Sequence, residues 1–320
     1  MKIFSLSSIE LYIISLDVFL SYINYIVISI YTVLPTLLYS SLNKMKYGKN
    51  RTFYLILLWS VVCFLVLVLL WLCMYLYGLT LHVEFLSPLE LYSVLISDTD
   101  DYYSTFYETD LKVRNVENTE QYKMKIQESV GYPNLYQKYK LYFAVNDAQR
   151  FFRRKKQEYG EFWSGCDMEK LIDIPWKFGI MNHGLYENGL PHTRKDVILL
   201  EQTLIDNIPY DSCVATLIHE KIHVYQKQYP KETSAFVLQQ YTKVKQREES
   251  DNVRANPDTD EWIYMDNETG ETLKMEYVDR ATRITDVKHA NQRNEHPYEK
   301  MAVDIENVYL LEKKAVKKLT

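Results

Sequence analysis

Cysteine is scarce in this sequence, and its spacing does not favour a metal site built from thiolates. The chain has four cysteines among 320 residues, and no two of them form a C-x-x-C pair. Cys63 and Cys73 lie in an apolar run, which leaves Cys166 and Cys213 in the rest of the chain. These two could form one disulfide if the domain faces an oxidising compartment. No thiolate metal site is therefore predicted.

Excess positive charge is also missing from most of the chain, and no internal repeat is present. Residues 1–77 hold five of the 37 basic and two of the 42 acidic side chains, so residues 78–320 hold 32 and 40, a net charge of −8. Phosphate binding needs concentrated positive charge. We therefore expect no nucleic-acid partner.

Charged residues are absent from two long stretches near the N-terminus. The stretch Thr52–Leu81 contains none, and about 20 apolar residues suffice to span a bilayer as a helix. We expect a transmembrane helix at about 53–77, and a second at about 18–42, where the chain is also uncharged. A single signal anchor that starts near Met45 is the alternative. The chain is thus expected to contact the lipid bilayer.

The loop between these stretches predicts the orientation of the protein. Leu42–Arg51 carries four positive and no negative charges, and the positive-inside rule places such a loop in the cytosol. The expected organisation is a membrane anchor at 1–81, a juxtamembrane stalk at 82–97 and a domain at 98–320. That domain would lie on the non-cytosolic side, either lumenal or extracellular.

Residues 98–320 predict an α+β domain that is mostly helical with a small sheet. Apolar periodicity and turn residues predict helices at 134–159, 212–229, 232–248 and from His296-Pro297 onwards, a strand at Val197–Leu200, and a hairpin within 261–278. Asp211 or Ser212 is expected to cap the second helix, and Pro230 to end it.

The second predicted helix carries the motif H-E-x-x-H, read as His219-Glu220-Lys221-Ile222-His223. Residues four apart share a helix face, so both imidazoles can bind one metal ion. Glu220 lies beside the first histidine, where it can act as a general base towards a water molecule. The motif predicts one Zn²⁺ ion per chain and metal-assisted hydrolysis.

A catalytic zinc site normally has a third protein ligand. The best candidate is Glu299, near the start of the last predicted helix, where Ala302 allows close packing against the motif helix. The alternatives are His296, Glu295, His289 and Asp304.

The pair of motifs HEKIH and HPYEKMA resembles the Glu-type zincins (gluzincins), the thermolysin-like superfamily of metalloproteases. The resemblance covers about residues 190–310. It implies a zincin-like fold, with His219, His223 and Glu299 as zinc ligands, Glu220 as the catalytic base, and a peptide or protein as substrate.

The sequence departs from this family in two respects: the gap from His223 to Glu299 is long and includes the predicted hairpin, and one residue after the ligand Glu differs. The family often has an Asp four residues after the ligand Glu, where this chain has Val303, so Asp304 or Glu306 would have to hydrogen-bond a ligand histidine. In zincins an edge strand upstream of the motif binds extended substrate, and Val197–Leu200 is the expected equivalent. The candidates for a donor to the oxyanion are His192, Arg194, Tyr264, His296 and Tyr298.

These observations predict a membrane-anchored zinc metallopeptidase. The alternative is a catalytically inactive zinc-binding membrane protein with a binding or structural role. The sequence does not predict the oligomeric state.

Overall fold

A computed structural model describes residues 56, 58–69, 72, 82–288 and 295–319. The chain divides into two compact units, Met1–Leu76 and Tyr77–Thr320. The candidate site lies in the second unit, to which the following description is confined apart from the predicted membrane spans.

The fold-class prediction was wrong in its transmembrane helices. Within the residues described above, no helix is both long enough and apolar enough to cross a bilayer. The described helical run 58–69 has twelve residues, and most of the rest of the predicted span 53–77 lies outside the described residues. The two longest helices, Leu135–Tyr159 and Pro297–Leu319, carry charged residues along their length.

The other predicted span, 18–42, lies outside the described residues. The prediction of a non-cytosolic domain depended on these two spans. No structural observation tests it, and it stays a prediction.

The second unit is an α+β fold. Its helices are α1 (Pro88–Ser97), α2 (Glu108–Val113), α3 (Thr119–Ser129), α4 (Leu135–Tyr159), α5 (Met168–Asp173), α6 (Gln202–Asn207), α7 (Tyr210–Gln228), α8 (Pro230–Val237) and α9 (Pro297–Leu319). Its strands are β1 (Val83–Phe85), β2 (Val130–Gly131), β3 (Phe162–Trp163), β4 (Cys166–Asp167), β5 (Trp176–Met181), β6 (His192–Arg194), β7 (Val197–Glu201), β8 (Tyr241–Gln246), β9 (Trp262–Asp266) and β10 (Thr272–Leu273).

The largest sheet has five strands and mixed direction. Its order is β1-β5-β7-β6, with β2 also paired to β5. β5 runs parallel to β1 and β7, whereas β6 runs antiparallel to β7. A separate antiparallel sheet has the order β10-β9-β8. Helix α7 packs against strands β6 and β7 of the main sheet.

Residues 82–97, interpreted from sequence as a stalk, are part of this fold. β1 pairs with β5, and α1 begins with a capping box formed by Ser87 and Glu90. Leu91 and Leu95 of α1 are fully buried. The segment therefore contributes a strand and a packed helix to the second unit.

The strand prediction at Val197–Leu200 is confirmed, but its place at an edge is wrong. β7 lies between β5 and β6, so both its sides are paired. All five residues of β7 are buried, as expected of a strand covered on both faces. The edge strand beside the motif helix is β6.

Helices α4, α7 and α9 share one apolar core with the sheet. Ala148, Leu217, Ile222 and Ala302 are fully buried in it. Small side chains let helices approach closely, as expected from sequence for Ala302. This packing places the first turn of α9 against the C-terminal half of α7.

The other element predictions had mixed outcomes. The helix at 134–159, the hairpin and the start of the last helix at Pro297 are confirmed. α7 begins at Tyr210 after Pro209, without a side-chain cap, so the prediction of Asp211 or Ser212 as cap was wrong. The helix predicted at 232–248 was wrong in its second half, where β8 forms. β8 pairs along its length with β9, which the local pattern did not reveal.

Candidate metal centre

Three donor atoms from two helices meet at one point. His219 Nε2 and His223 Nε2 are 3.0 Å apart, and Glu299 Oε2 lies 3.3 Å from the first and 3.5 Å from the second. A tetrahedral ion with zinc–ligand bonds of about 2.05 Å separates its ligands by about 3.4 Å. The three side chains therefore fit one tetrahedral ion of this size.

Local structure brings the two helices into this arrangement. His219 and His223 lie one turn apart on α7, and Glu299 lies in the first turn of α9. Gln226 Nε2 donates to the Tyr298 carbonyl oxygen at 3.0 Å, which ties α7 to the start of α9. The geometry thus depends on a helix–helix contact between residues far apart in sequence.

Both histidines have a partner on the ring nitrogen that faces away from the centre. His219 Nδ1 lies 3.1 Å from Glu306 Oε2, and His223 Nδ1 lies 2.8 Å from Gln226 Oε1. Both partners are acceptors if each Nδ1 carries the proton, which leaves each Nε2 lone pair free to bind an ion. Such outer partners fix the tautomer and orientation of metal-binding histidines.

Glu306 is one of the two residues considered from sequence for this role. Asp304, the other, is exposed on a different face of α9. Gln226 was missed, although its position three residues after His223 on the same helix was a usable signal.

Among the alternative third ligands, none that the structure describes reaches the histidine pair. His296 Nε2 lies 3.0 Å from Asp260 Oδ1, and Asp304 is exposed. Glu295 is partly buried outside the cluster. His289 lies outside the described residues.

The three clustered side chains influence each other's charge. Burial alone would lower the pKa of His219, but hydrogen bonds to Glu299 and Glu306 outweigh it and raise that pKa well above its usual value. Burial would raise the pKa of Glu299, but the two imidazoles hold it well below its usual value. Glu299 is therefore an anionic ligand at neutral pH.

Glu220 lies in the same site with a free acceptor. Its side chain is 3% exposed, and its Oε2 atom is buried without a hydrogen-bond partner. Burial, with a contribution from nearby Asp258, raises the pKa of Glu220 to about 8, although both histidines act to lower it. This carboxyl group can take up or release a proton near neutral pH.

His219, Glu220 and Glu299 border a cavity of about 140 Å³. The remaining wall consists of Ile284 and two segments, one around Glu187–His192 and one that we call the covering loop, residues 254–258. Asn256 Nδ2 of the covering loop donates to Glu299 Oε1 at 2.6 Å. This bond leaves Glu299 Oε2 to face the histidines.

The covering loop also closes the free edge of β6. Thr193 N donates to Asp258 Oδ1 at 2.8 Å, and Lys227 Nζ donates to Thr193 O at 2.6 Å and to Asp258 Oδ1 at 3.1 Å. Thr193 is the central residue of this three-residue strand. Both its outward backbone groups are therefore occupied by side chains, and no strand can be added there without displacing them.

The five candidates for an oxyanion donor differ in their partners and in whether they border the cavity. Arg194 is bonded to Asp98 and Asp100. His296 and Tyr264 both hydrogen-bond Asp260, and Tyr298 packs against His296 with ring centroids 5.0 Å apart. Of the five, only His192 borders the cavity.

Sequence reasoning missed the covering loop entirely. Arg254-Ala255-Asn256-Pro257-Asp258 contains polar residues around a proline, which from sequence alone is only a turn signal. Its function depends on contacts with Thr193, Lys227 and Glu299, which are distant along the chain.

Cys166 and Cys213 are both buried and both free, so they do not form the disulfide that the sequence left open.

The chain matches no protein-family model, and comparisons with curated proteins and with solved structures gave no match. The resemblance to Glu-type zincins therefore depends on the two sequence motifs.

Proposed function

We propose that this protein is a zinc metallopeptidase in which His219, His223 and Glu299 hold one zinc ion and Glu220 is the general base. One observation carries the proposal. Three donor atoms lie within 3.5 Å of one another, beside a buried carboxylate oxygen that has no partner.

The donor set favours zinc over harder cations. Two imidazoles and one carboxylate suit a tetrahedral ion, whereas magnesium and calcium prefer oxygen ligands in larger numbers. When bound, zinc would supply Lewis acidity that lowers the pKa of water and polarises a carbonyl group.

Glu220 supplies the proton transfers of amide hydrolysis. It takes a proton from water as the water oxygen bonds to the carbonyl carbon and the C=O electron pair moves to the carbonyl oxygen. When that pair returns, the C–N bond breaks, and Glu220 passes its proton to the leaving nitrogen. The products are a carboxylic acid and an amine.

The substrate class comes from the family resemblance alone. One feature favours the second candidate, a zinc-binding protein that cleaves nothing. The expected substrate edge, β6, is closed by Asp258 and Lys227. Cleavage of an extended peptide therefore requires either displacement of this pair or a different substrate path.

The experiment measures zinc content and peptide cleavage of the full-length chain. We expect about one zinc per chain in the wild type and in Glu220→Gln, and loss of zinc in His223→Ala and Glu299→Ala. Cleavage of a peptide library should fall at least about a hundredfold in Glu220→Gln, because general-base catalysis contributes 10²–10⁴-fold.

Glu128→Gln is the matched control, since Glu128 is exposed on α3. A folded wild type without zinc would contradict the proposal. Zinc binding with no cleavage by any variant would instead support the inactive zinc-binding protein.

A further inference from the structure

A partly buried arginine of the covering loop borders the catalytic cavity without a partner. Arg254 lines the same cavity as His219, Glu220 and Glu299. Its Nε atom is shielded from solvent and forms no hydrogen bond. In the described part of the chain, its guanidinium makes no ion pair either. The backbone holds the residue in place, because Arg254 N donates to the Met275 carbonyl oxygen at 2.8 Å.

The other inward-facing arginines behave differently. Arg114, Arg194 and Arg247 are nearly fully buried, and each forms ion pairs with acidic side chains. A charge removed from water without a partner is unfavourable, so buried charges are normally paired. Arg254 is less buried than these three, and among the described residues no acidic side chain forms an ion pair with its guanidinium.

The nearby acidic groups do not fill this role. Glu295 interacts with Arg254 electrostatically, but no hydrogen bond or ion pair joins them. Glu299 is bonded to Asn256 and faces the histidines. Asp258 is bonded to Thr193 and Lys227. The described acidic groups therefore leave the Arg254 guanidinium able to bind an anionic group of a ligand in the cavity.

Among the described side chains that line the cavity, Arg254 is a hydrogen-bond donor with no acceptor. His192 has an unpartnered Nε2 atom there, but its Nδ1 lies 2.9 Å from the Leu190 carbonyl oxygen and must donate to it. In the neutral ring Nε2 is then an acceptor, which cannot stabilise an anion. Asn256 already donates to Glu299.

We infer that Arg254 binds the carbonyl oxygen of the scissile amide and stabilises the negative charge that this oxygen gains. The inference rests on the proposed function and adds a catalytic residue to it. As the water oxygen bonds to the carbonyl carbon, the C=O electron pair moves to the oxygen facing Arg254, and the water proton goes to Glu220. When the C–N bond breaks, that pair re-forms the C=O bond, the oxygen loses its negative charge, and Glu220 gives its proton to the leaving nitrogen.

The first test is kinetic and uses the full-length, zinc-loaded chain. Removing one oxyanion donor costs about 10²–10³-fold in kcat. We expect that loss in Arg254→Met with KM changed less than about threefold, and partial recovery in Arg254→Lys, which keeps the charge. Arg153→Met is the matched control, since Arg153 is exposed on α4. Zinc content and melting temperature should be unchanged in all three.

The second test does not depend on turnover. A peptide phosphonamidate carries an anionic tetrahedral oxygen in place of the scissile carbonyl, and a peptide amide of the same sequence is its neutral control. Isothermal titration calorimetry in a Glu220→Gln background, which binds zinc but does not cleave the amide, should show phosphonamidate binding at least tenfold weaker with Arg254→Met than with Arg254. Binding of the neutral amide should differ by less than about threefold.

Three results would overturn the inference. One is wild-type kcat and phosphonamidate affinity in Arg254→Met. Another is a loss confined to KM and to peptides with a free C-terminal carboxylate, which would assign Arg254 to that terminus. The third is a zinc-loaded wild type that does not bind the phosphonamidate. If the wild type holds zinc and cleaves nothing, the proposed function fails, and the calorimetric comparison still decides whether Arg254 is an anion-binding group.

Discussion

At the scale of single residues, the site depends on side chains that orient other side chains. Each histidine of the candidate site has an outer partner, Glu306 for His219 and Gln226 for His223. Asn256 holds one oxygen of Glu299. Such contacts fix ligand geometry before any ion binds, which lowers the ordering cost of binding.

Glu306 provides a test of this orientation. Glu306→Ala should weaken zinc binding by about 10–100-fold, as is typical for loss of an outer partner. Competition with a chromogenic chelator measures the affinity. Asp304→Ala is the control, because Asp304 lies on the same helix but is exposed. Equal affinities in the two variants would show that Glu306 does not orient His219.

Glu187 makes the free energy of unfolding depend on pH. Burial would raise its pKa, but Arg114 lowers it to about 2 from the usual 4.5. A carboxyl group with a depressed folded-state pKa stabilises the fold above its unfolded pKa. That contribution, roughly 3 kcal/mol, is lost as pH falls from about 4.5 towards 2.

We therefore expect Glu187→Gln to lower the free energy of unfolding by roughly 3 kcal/mol at pH 7, and by much less near pH 2.5. Urea unfolding at both pH values measures this. Glu128→Gln should change little at either pH. A deficit of the same size at both pH values would disprove the assignment.

At the scale of elements, β6 is an edge strand whose outward backbone groups at Thr193 already form hydrogen bonds. Asp258 and Lys227 occupy the outward N–H and C=O groups of Thr193. The amide of Thr193 should therefore exchange slowly with solvent, although no further strand covers it.

Asp258→Ala should speed exchange of the Thr193 amide at least tenfold and destabilise the fold by about 3 kcal/mol, because Lys227 loses its anionic partner. Hydrogen–deuterium exchange and thermal unfolding measure the two effects. Asp196→Ala, which breaks only a more exposed ion pair with Lys177, is the control. Unchanged Thr193 exchange in Asp258→Ala would refute this account of the edge.

Elements with strong local signals were the predictable part of the fold. The apolar periodicity of 134–159, the capping residue Asn134 and Pro297 at a helix start depend only on neighbours in sequence. The sequence pattern predicts a helix where β8 forms, because β8 is stabilised by pairing with β9, about 20 residues away in sequence. In the site, H-E-x-x-H could be predicted because its spacing is local. Arg254, Asn256 and Asp258 could not, since their roles depend on tertiary contacts.

At the scale of the whole unit, the candidate site is a product of helix packing. His219 and His223 belong to α7, and Glu299 belongs to α9, with the sheet β8-β9-β10 between them in sequence. Their meeting requires the close approach allowed by fully buried Ala302. Stability of the core and affinity for zinc should therefore change together.

Ala302→Leu tests this coupling. The larger side chain should separate α9 from α7, lower the free energy of unfolding by about 1–3 kcal/mol, and weaken zinc binding at least tenfold. Calorimetric unfolding and chelator competition measure the two effects. Ala315→Leu on the exposed face of α9 is the control. Weaker folding with full zinc affinity would show that Glu299 is positioned independently of this contact.

The closed edge of β6 also bears on how the protein behaves at high concentration. Edge strands with free backbone groups are templates for pairing with other molecules, and natural proteins often protect them with charged side chains. Asp258 and Lys227 satisfy the outward groups of Thr193 and place opposite charges beside them. The contact that keeps a substrate strand off this edge thus also keeps off a second copy of the chain, so it protects the fold against aggregation.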